Sequence, residues 1–145
     1  MLSLQEISDR LEIEDLTVRY SYAVDTRQWE LLDEIFTADA HIDYTAMGGP
    51  AGDLDSTKRF LATVMPNFLA FQHLVSNSSI TVDGDTASAR TICHNPMVVA
   101  GQDGRPTLML GGLWYHDTLV RVDGCWRIRQ RVEEKSYLFL AASAG

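Results

Sequence analysis

The first third of the chain places apolar residues at the period of an α-helix. Leu4, Ile7 and Leu11 open the pattern, and Ile13, Leu16, Tyr20 and Val24 continue it at intervals of three and four. Ser3 and Glu6 have capping-box spacing, so the hydroxyl can accept from an orphan amide while the carboxylate reaches back. Leu11, Val18, Tyr22 and Asp25 fall on another side of the same wheel. This predicts a helix buried on two sides, with Asp25 at its enclosed end. "TRQWELLDEIF" spaces Trp29, Leu32 and Phe36 as a second short helix, and "AHIDYTAMGGPAG" reads as a strand through Tyr44 entering a glycine–proline loop. Asp55 or Ser56 can cap a third helix over Thr57–Met65, closed by Pro66.

From Ala70 the period changes to two. Four long strands are expected at about 70–82, 86–99, 107–122 and 125–138. "VDGD" and "VDGC" supply tight turns, because Asp-Gly tolerates the positive φ angles of a short hairpin, and "AGQDGRP" is a looser turn. Strands joined this closely are antiparallel neighbours. Helices followed by a meander define an α+β fold, read as one domain over 1–145. The expected architecture is a cone-shaped α+β barrel, with N-terminal helices packed on a curved, mainly antiparallel sheet that encloses a pocket.

A formal charge of −8 without any basic cluster argues against nucleic acid, whose phosphates need a basic surface. No apolar segment approaches the ~18 residues of a membrane span, and "MLSLQEISDRLE" carries acids where a signal peptide is basic and then apolar. Cys93 and Cys125 form no framework or metal spacing and are expected to be reduced, buried thiols of a cytoplasmic protein. His41 with Asp43 and His116 with Asp117 invite a metal reading, but no three ligands share a credible spacing, so neither metal nor cofactor is expected.

One histidine stands out. In "FLAFQHLVSN", Phe71, His73 and Val75 share a face of one strand, setting a titratable ring in an apolar run. The residues alone leave open a core histidine bonded to a carbonyl or a catalytic base. Arg131 has the parity of Arg127, Arg129, Glu133 and Lys135, a solvated face unless a bulge turns the later members inward. His94 and Asn95 alternate, so one of them faces the pocket. Tyr20, Tyr22, Tyr44 and Tyr115 read as amphipathic core residues or as hydroxyl donors to a bound molecule.

The order helix–helix–strand–helix–meander resembles the SnoaL-like branch of the nuclear-transport-factor-two-like superfamily. "YAVDTRQW", "QHLVSN" and "GLWYHDTLVRVDGCWRIRQR" are similar to the scytalone dehydratase and hexachlorocyclohexane dehydrochlorinase group. That resemblance implies a pocket in which His73 meets Asp25, with Arg131 lining the wall and Asn95 favoured over His94. Departures accompany it: the dehydrochlorinases carry a lysine where this chain has Tyr20, and the tyrosines of the dehydratase cannot be matched one to one.

Imidazole suits removal of a carbon-bound proton because its ordinary pKa lies near operating pH, and a carboxylate on its other nitrogen fixes the tautomer. The expected activity is therefore a cofactor-free lyase, a dehydratase-like elimination on a small hydrophobic molecule. His73 is the base, Asp25 the orienting acid and Arg131 the anion stabiliser. An isomerase or epoxide hydrolase in the same cone is the second reading, and a non-catalytic binder the third. Three helices cannot cover the convex face, so a homodimer or homotrimer is expected.

Overall fold

In the computed structural model, which describes residues 1–142, α1 spans Leu4–Asp25, and its cap is as the spacing requires: the Ser3 hydroxyl accepts from the Glu6 amide at 3.1 Å. Ile13, Leu16, Tyr20, Ala23 and Val24 are buried. The second side is not. Leu11, Val18 and Tyr22 are each more than half exposed, which corrects the expectation of a helix enclosed twice over. The reason is that α1 packs chiefly against β4, β7 and the short helical segments after it, and the side with Leu11, Val18 and Tyr22 stays open.

"TRQWELLDEIF" splits into a 3-10 turn, Trp29–Leu31, and a single-turn helix α2, Leu32–Ile35, while Phe36 already opens strand β1, Phe36–Asp43. The loop after Tyr44 holds a strand absent from the sequence reading, β2 at Ala51–Asp53, antiparallel to β1. Helix α3 runs over Leu54–Val64 and is capped by Asp53, which accepts from the Ser56 amide at 2.7 Å; the cap therefore stands earlier than Asp55 or Ser56.

The expected first long strand is two collinear pieces, β3 at Ala70–Phe71 and β4 at Leu74–Asp83. Then come β5, Thr86–Ala100, β6, Pro106–Val122, and β7, Cys125–Ala142; residues 143–145 of the expected domain lie outside the described residues. The sheet order is β2-β1-β7-β6-β5-β3, with β4 also on β5, and every pairing is antiparallel except β1 with β7. Gly84 and Gly124 take positive φ in the tight turns.

The concave face is legible along β5, where Ala87, Ala89, Thr91, Cys93 and Asn95 alternate inward, and along β6, where Leu113, Tyr115, Asp117 and Leu119 do the same. On β7 a bulge intervenes. Leu119 pairs with Ile128 but Thr118 pairs with Gln130, so Arg129 is an extra residue. Ile128 and Arg131 face inward while Arg129 and Gln130 both face out, and from there Arg131 and Glu133 sit on the inner face, across from Asp117 and Tyr115. Near the narrow end, buried Asp9 accepts from Gln5, Arg121 and the Trp126 indole, which ties α1 to the β6–β7 hairpin. Cys93 is buried as expected; Cys125 is exposed, because it begins β7 right at the turn. Among the described residues, no helix is long and apolar enough to cross a membrane.

Candidate active site

Asp25 is delivered by the way α1 ends. Arg27 adopts φ 59°, and the Gln28 amide bonds back to the Ala23 carbonyl at 2.8 Å, a Schellman-type closure with an arginine in the usual glycine place. The last helical carboxylate then lies beside the sheet edge formed by β3 and β4.

His73 lies in the gap between those two strands. Gln72 donates to the Pro96 carbonyl at 3.2 Å, but Pro96 has no N–H to return, so the ladder thins there. The alternation of an antiparallel edge then points the His73 amide away from β5. Asp25 takes it: Oδ2 accepts from that amide at 3.0 Å, while Oδ1 lies 2.7 Å from His73 Nδ1. One carboxylate thus holds both the backbone and the ring. The imidazole is nearly enclosed, its side chain 7% exposed, and Asp25 reaches the surface in a cleft of about 390 Å³ with Phe71 and Pro96.

On the other ring nitrogen, Asn95 Nδ2 stands 3.2 Å from Nε2. With that amide donating, Nε2 bears a lone pair and Nδ1 carries the hydrogen given to Asp25, the tautomer a base requires. The Asn95 oxygen is buried and has no partner among the described residues. His94 points to the opposite face, where its Nδ1 meets the Tyr137 hydroxyl at 2.7 Å.

Tyr20 packs edge-on to His73, with ring centroids 6.4 Å apart, and its hydroxyl lies 2.5 Å from that of Tyr44. Burial pushes the Tyr20 phenol up to about 12 and those of Tyr44 and Tyr115 well above their ordinary value, so all three remain neutral hydroxyls. Tyr22 is a correction: at two residues' distance from Tyr20 it lies about 200° round the helix, and it is 56% exposed, away from this interior. Cys93, between these rings, is raised by burial to about 11 and stays a thiol.

Arg131 is wholly buried. Nε and Nη2 form a fork onto Asp117 at 2.8 and 2.7 Å, and the guanidinium carbon lies 4.3 Å from the Tyr20 ring centroid and 4.0 Å from that of Tyr115. Burial works against its charge, but the Asp117 carboxylate outweighs that and holds the group above its ordinary value. Nη1 has no partner among the described residues, which leaves that nitrogen free to donate to an oxygen brought to it. Asp117 and His116, adjacent in sequence, serve opposite faces: His116 pairs with Glu134 outside. Among the described residues, no group of three His, Cys, Asp or Glu side chains is placed to hold a metal ion.

Two interior residues, Asp117 and Glu133, were not among the site residues expected from the sequence. Their only signal was inward parity, and the bulge scrambles that on β7. Burial pushes the Glu133 carboxyl up to about 8 despite the opposing pull of Arg131, with Asp43 adding to the rise. A carboxyl raised in the fold stabilises it fully below the unfolded value of 4.5, and that contribution is lost as pH climbs through about 8. Denaturant unfolding should therefore show the wild type losing stability across that window, and Glu133→Gln should flatten this part of the curve. A parallel pair of curves would show that Glu133 is already ionised in the native state.

A curved α+β half-barrel with a histidine–aspartate pair, neutral tyrosines and a buried arginine along its concave face defines a class of fold suited to acid–base chemistry. The chain belongs to the SnoaL-like family, whose domain matches residues 5–132. Uncharacterised proteins of Mycobacterium tuberculosis and Mycobacterium bovis are 51% identical to it over 137 residues, 94% of this chain and 92% of theirs. Among solved structures, a protein provisionally described as a scytalone dehydratase, from Novosphingobium aromaticivorans, superposes with a TM-score of 0.79 at 26% identity, covering 92% of this chain and 87% of that one. A type 2 hexachlorocyclohexane dehydrochlorinase reaches a TM-score of 0.84 at 20% identity over 97% and 94%, a likeness of fold.

Proposed function

We propose that this protein is a cofactor-free lyase that eliminates water or a comparable leaving group from a compact, mostly apolar molecule. His73 Nε2 removes a carbon-bound proton, Asp25 holds the ring and stabilises the imidazolium, and Arg131 Nη1 with the Tyr20–Tyr44 pair receives developing negative charge on oxygen. The observation that carries the reading is the contact of 2.7 Å between His73 Nδ1 and Asp25 Oδ1, made where Nε2 is turned inward to Asn95. The dehydratase and dehydrochlorinase names of the two structural relatives support elimination as the class.

The test is conversion of 3-hydroxycyclohexanone to cyclohexenone, followed by enone absorbance and product mass. Wild-type protein should form the enone above the buffer rate; an unchanged rate across a panel of β-hydroxy ketones would sink the reading. A second reading, double-bond isomerisation, is favoured by the 2.5 Å tyrosine pair, which could hold an enolate. Product mass separates the two, since an isomer keeps its water. Assembly into two or three copies in the cytoplasm belongs to the same proposal. The outer sheet face leaves Leu108, Tyr137 and Phe139 exposed, and light scattering counts the copies.

A further inference from the structure

We propose that Glu133 is the acid of this reaction, giving its hydrogen to an oxygen leaving group, so that the chain's substrates lose water and not halide. The proposal rests on the elimination reading above and names what that reading leaves open.

Geometry comes first. The β7 bulge turns Glu133 onto the concave face, opposite Tyr115 and two residues beyond Arg131. One of its carboxyl oxygens, Oε2, is buried and has no hydrogen-bond partner among the described residues. Arg131, its charged neighbour, already spends its fork on Asp117. A half-buried carboxyl with one enclosed, idle oxygen and, among the described residues, no ion pair of its own is a donor awaiting an acceptor.

The groups around it are each committed. On α1 and just past β1, Tyr20 and Tyr44 are neutral phenols, and Asp43, the last residue of β1, is held as a carboxylate by Thr45. On β5 and β6, Cys93 and Tyr115 are kept protonated by burial, and Asp117 is bound to Arg131 on β7. At the sheet edge, His73 and Asp25 form the proton-accepting end. The Glu133 carboxyl, raised by burial to about 8, is protonated at neutral pH yet acidic enough to give the proton up.

The step balances. His73 Nε2 takes the C–H proton, and the released pair forms the C=C bond. The C–O bond breaks with its electrons on oxygen, which accepts the Glu133 proton and leaves as water. A proton passed from imidazolium to the Glu133 carboxylate through solvent resets both groups. Chloride departs as a stable anion and has no use for that donor.

The experiment compares 3-hydroxycyclohexanone with 3-chlorocyclohexanone, in wild type, Glu133→Gln and His73→Gln. Glu133→Gln, an isosteric neutral change, should lower kcat on the hydroxy ketone by ~10²-fold or more and leave the chloro ketone within a factor of about three. His73→Gln should lower both. Equal loss on the two ketones, or loss on neither, overturns the assignment. If wild-type protein converts neither, elimination fails as the function, and infrared difference spectra decide the donor separately. A protonated-carboxyl band at neutral pH, missing in Glu133→Gln and shifted by added cyclohex-2-enone, supports donation to a ligand oxygen. An absent or unmoved band refutes it.

Discussion

Replacing His73 by alanine or glutamine should cost ~10²–10⁴ in turnover, the usual contribution of a positioned general base. The loss should fall on kcat more than on KM, because the imidazole acts on the transferred proton and contributes little to holding an apolar body. Asp25→Asn is the sharper companion. An amide at that position can still accept the His73 main-chain hydrogen now 3.0 Å from Oδ2, so the edge of the sheet stays tied. It cannot stabilise an imidazolium, and it admits the tautomer with hydrogen on Nε2. Activity should drop while unfolding midpoints remain near wild type. A His73→Gln protein that keeps near-full turnover would take the ring out of the chemistry.

Asp117→Ala should be among the most destabilising single changes in the chain. It leaves the Arg131 guanidinium, wholly enclosed among Tyr20, Phe36 and Tyr115, without its counter-charge. Removing one member of a buried pair costs about 3–5 kcal/mol, largely for stranding the other charge. Urea unfolding of Asp117→Ala should show that shift. The double change Arg131→Met with Asp117→Leu should recover most of it, since apolar replacements of a buried pair are often neutral. Recovered stability without recovered turnover would separate the pair's folding role from the service of Nη1 in the hollow. A loss below about 1 kcal/mol for Asp117→Ala, the range of solvated pairs, would mean that water reaches the pair.

Much of this was readable before any coordinates. The stripe of Ile13, Leu16, Tyr20 and Val24 is the buried face of α1, because a 3.6-residue period has only one geometric reading. The inward set on β5 alternates without interruption, so Cys93 and Asn95 could be placed and His94 sent outward once the strand was oriented. Tyr22 was misjudged because an apolar ring at helical spacing looks the same whether its neighbour is core or water. The contact between His73 and Asp25 was visible only through family likeness: each residue's element is local information, but their meeting depends on a proline on another strand. Arg131 was recognised by likeness too, against its parity in "RIRQRVEE", where nothing marks the extra residue. Glycine flags many bulges; this one is carried by an arginine.

That unmarked residue has an evolutionary corollary. With Arg129 absent, Ile128, Gln130 and Arg131 would alternate in, out, in, so a chain one codon shorter here keeps Arg131 and Glu133 on the inner face. A lineage could lose or gain that residue, and with it the extra bend of β7, without exchanging the charged lining. Length variation at this spot of β7 should therefore reshape the strand's course among kindred chains and leave the inward set in place.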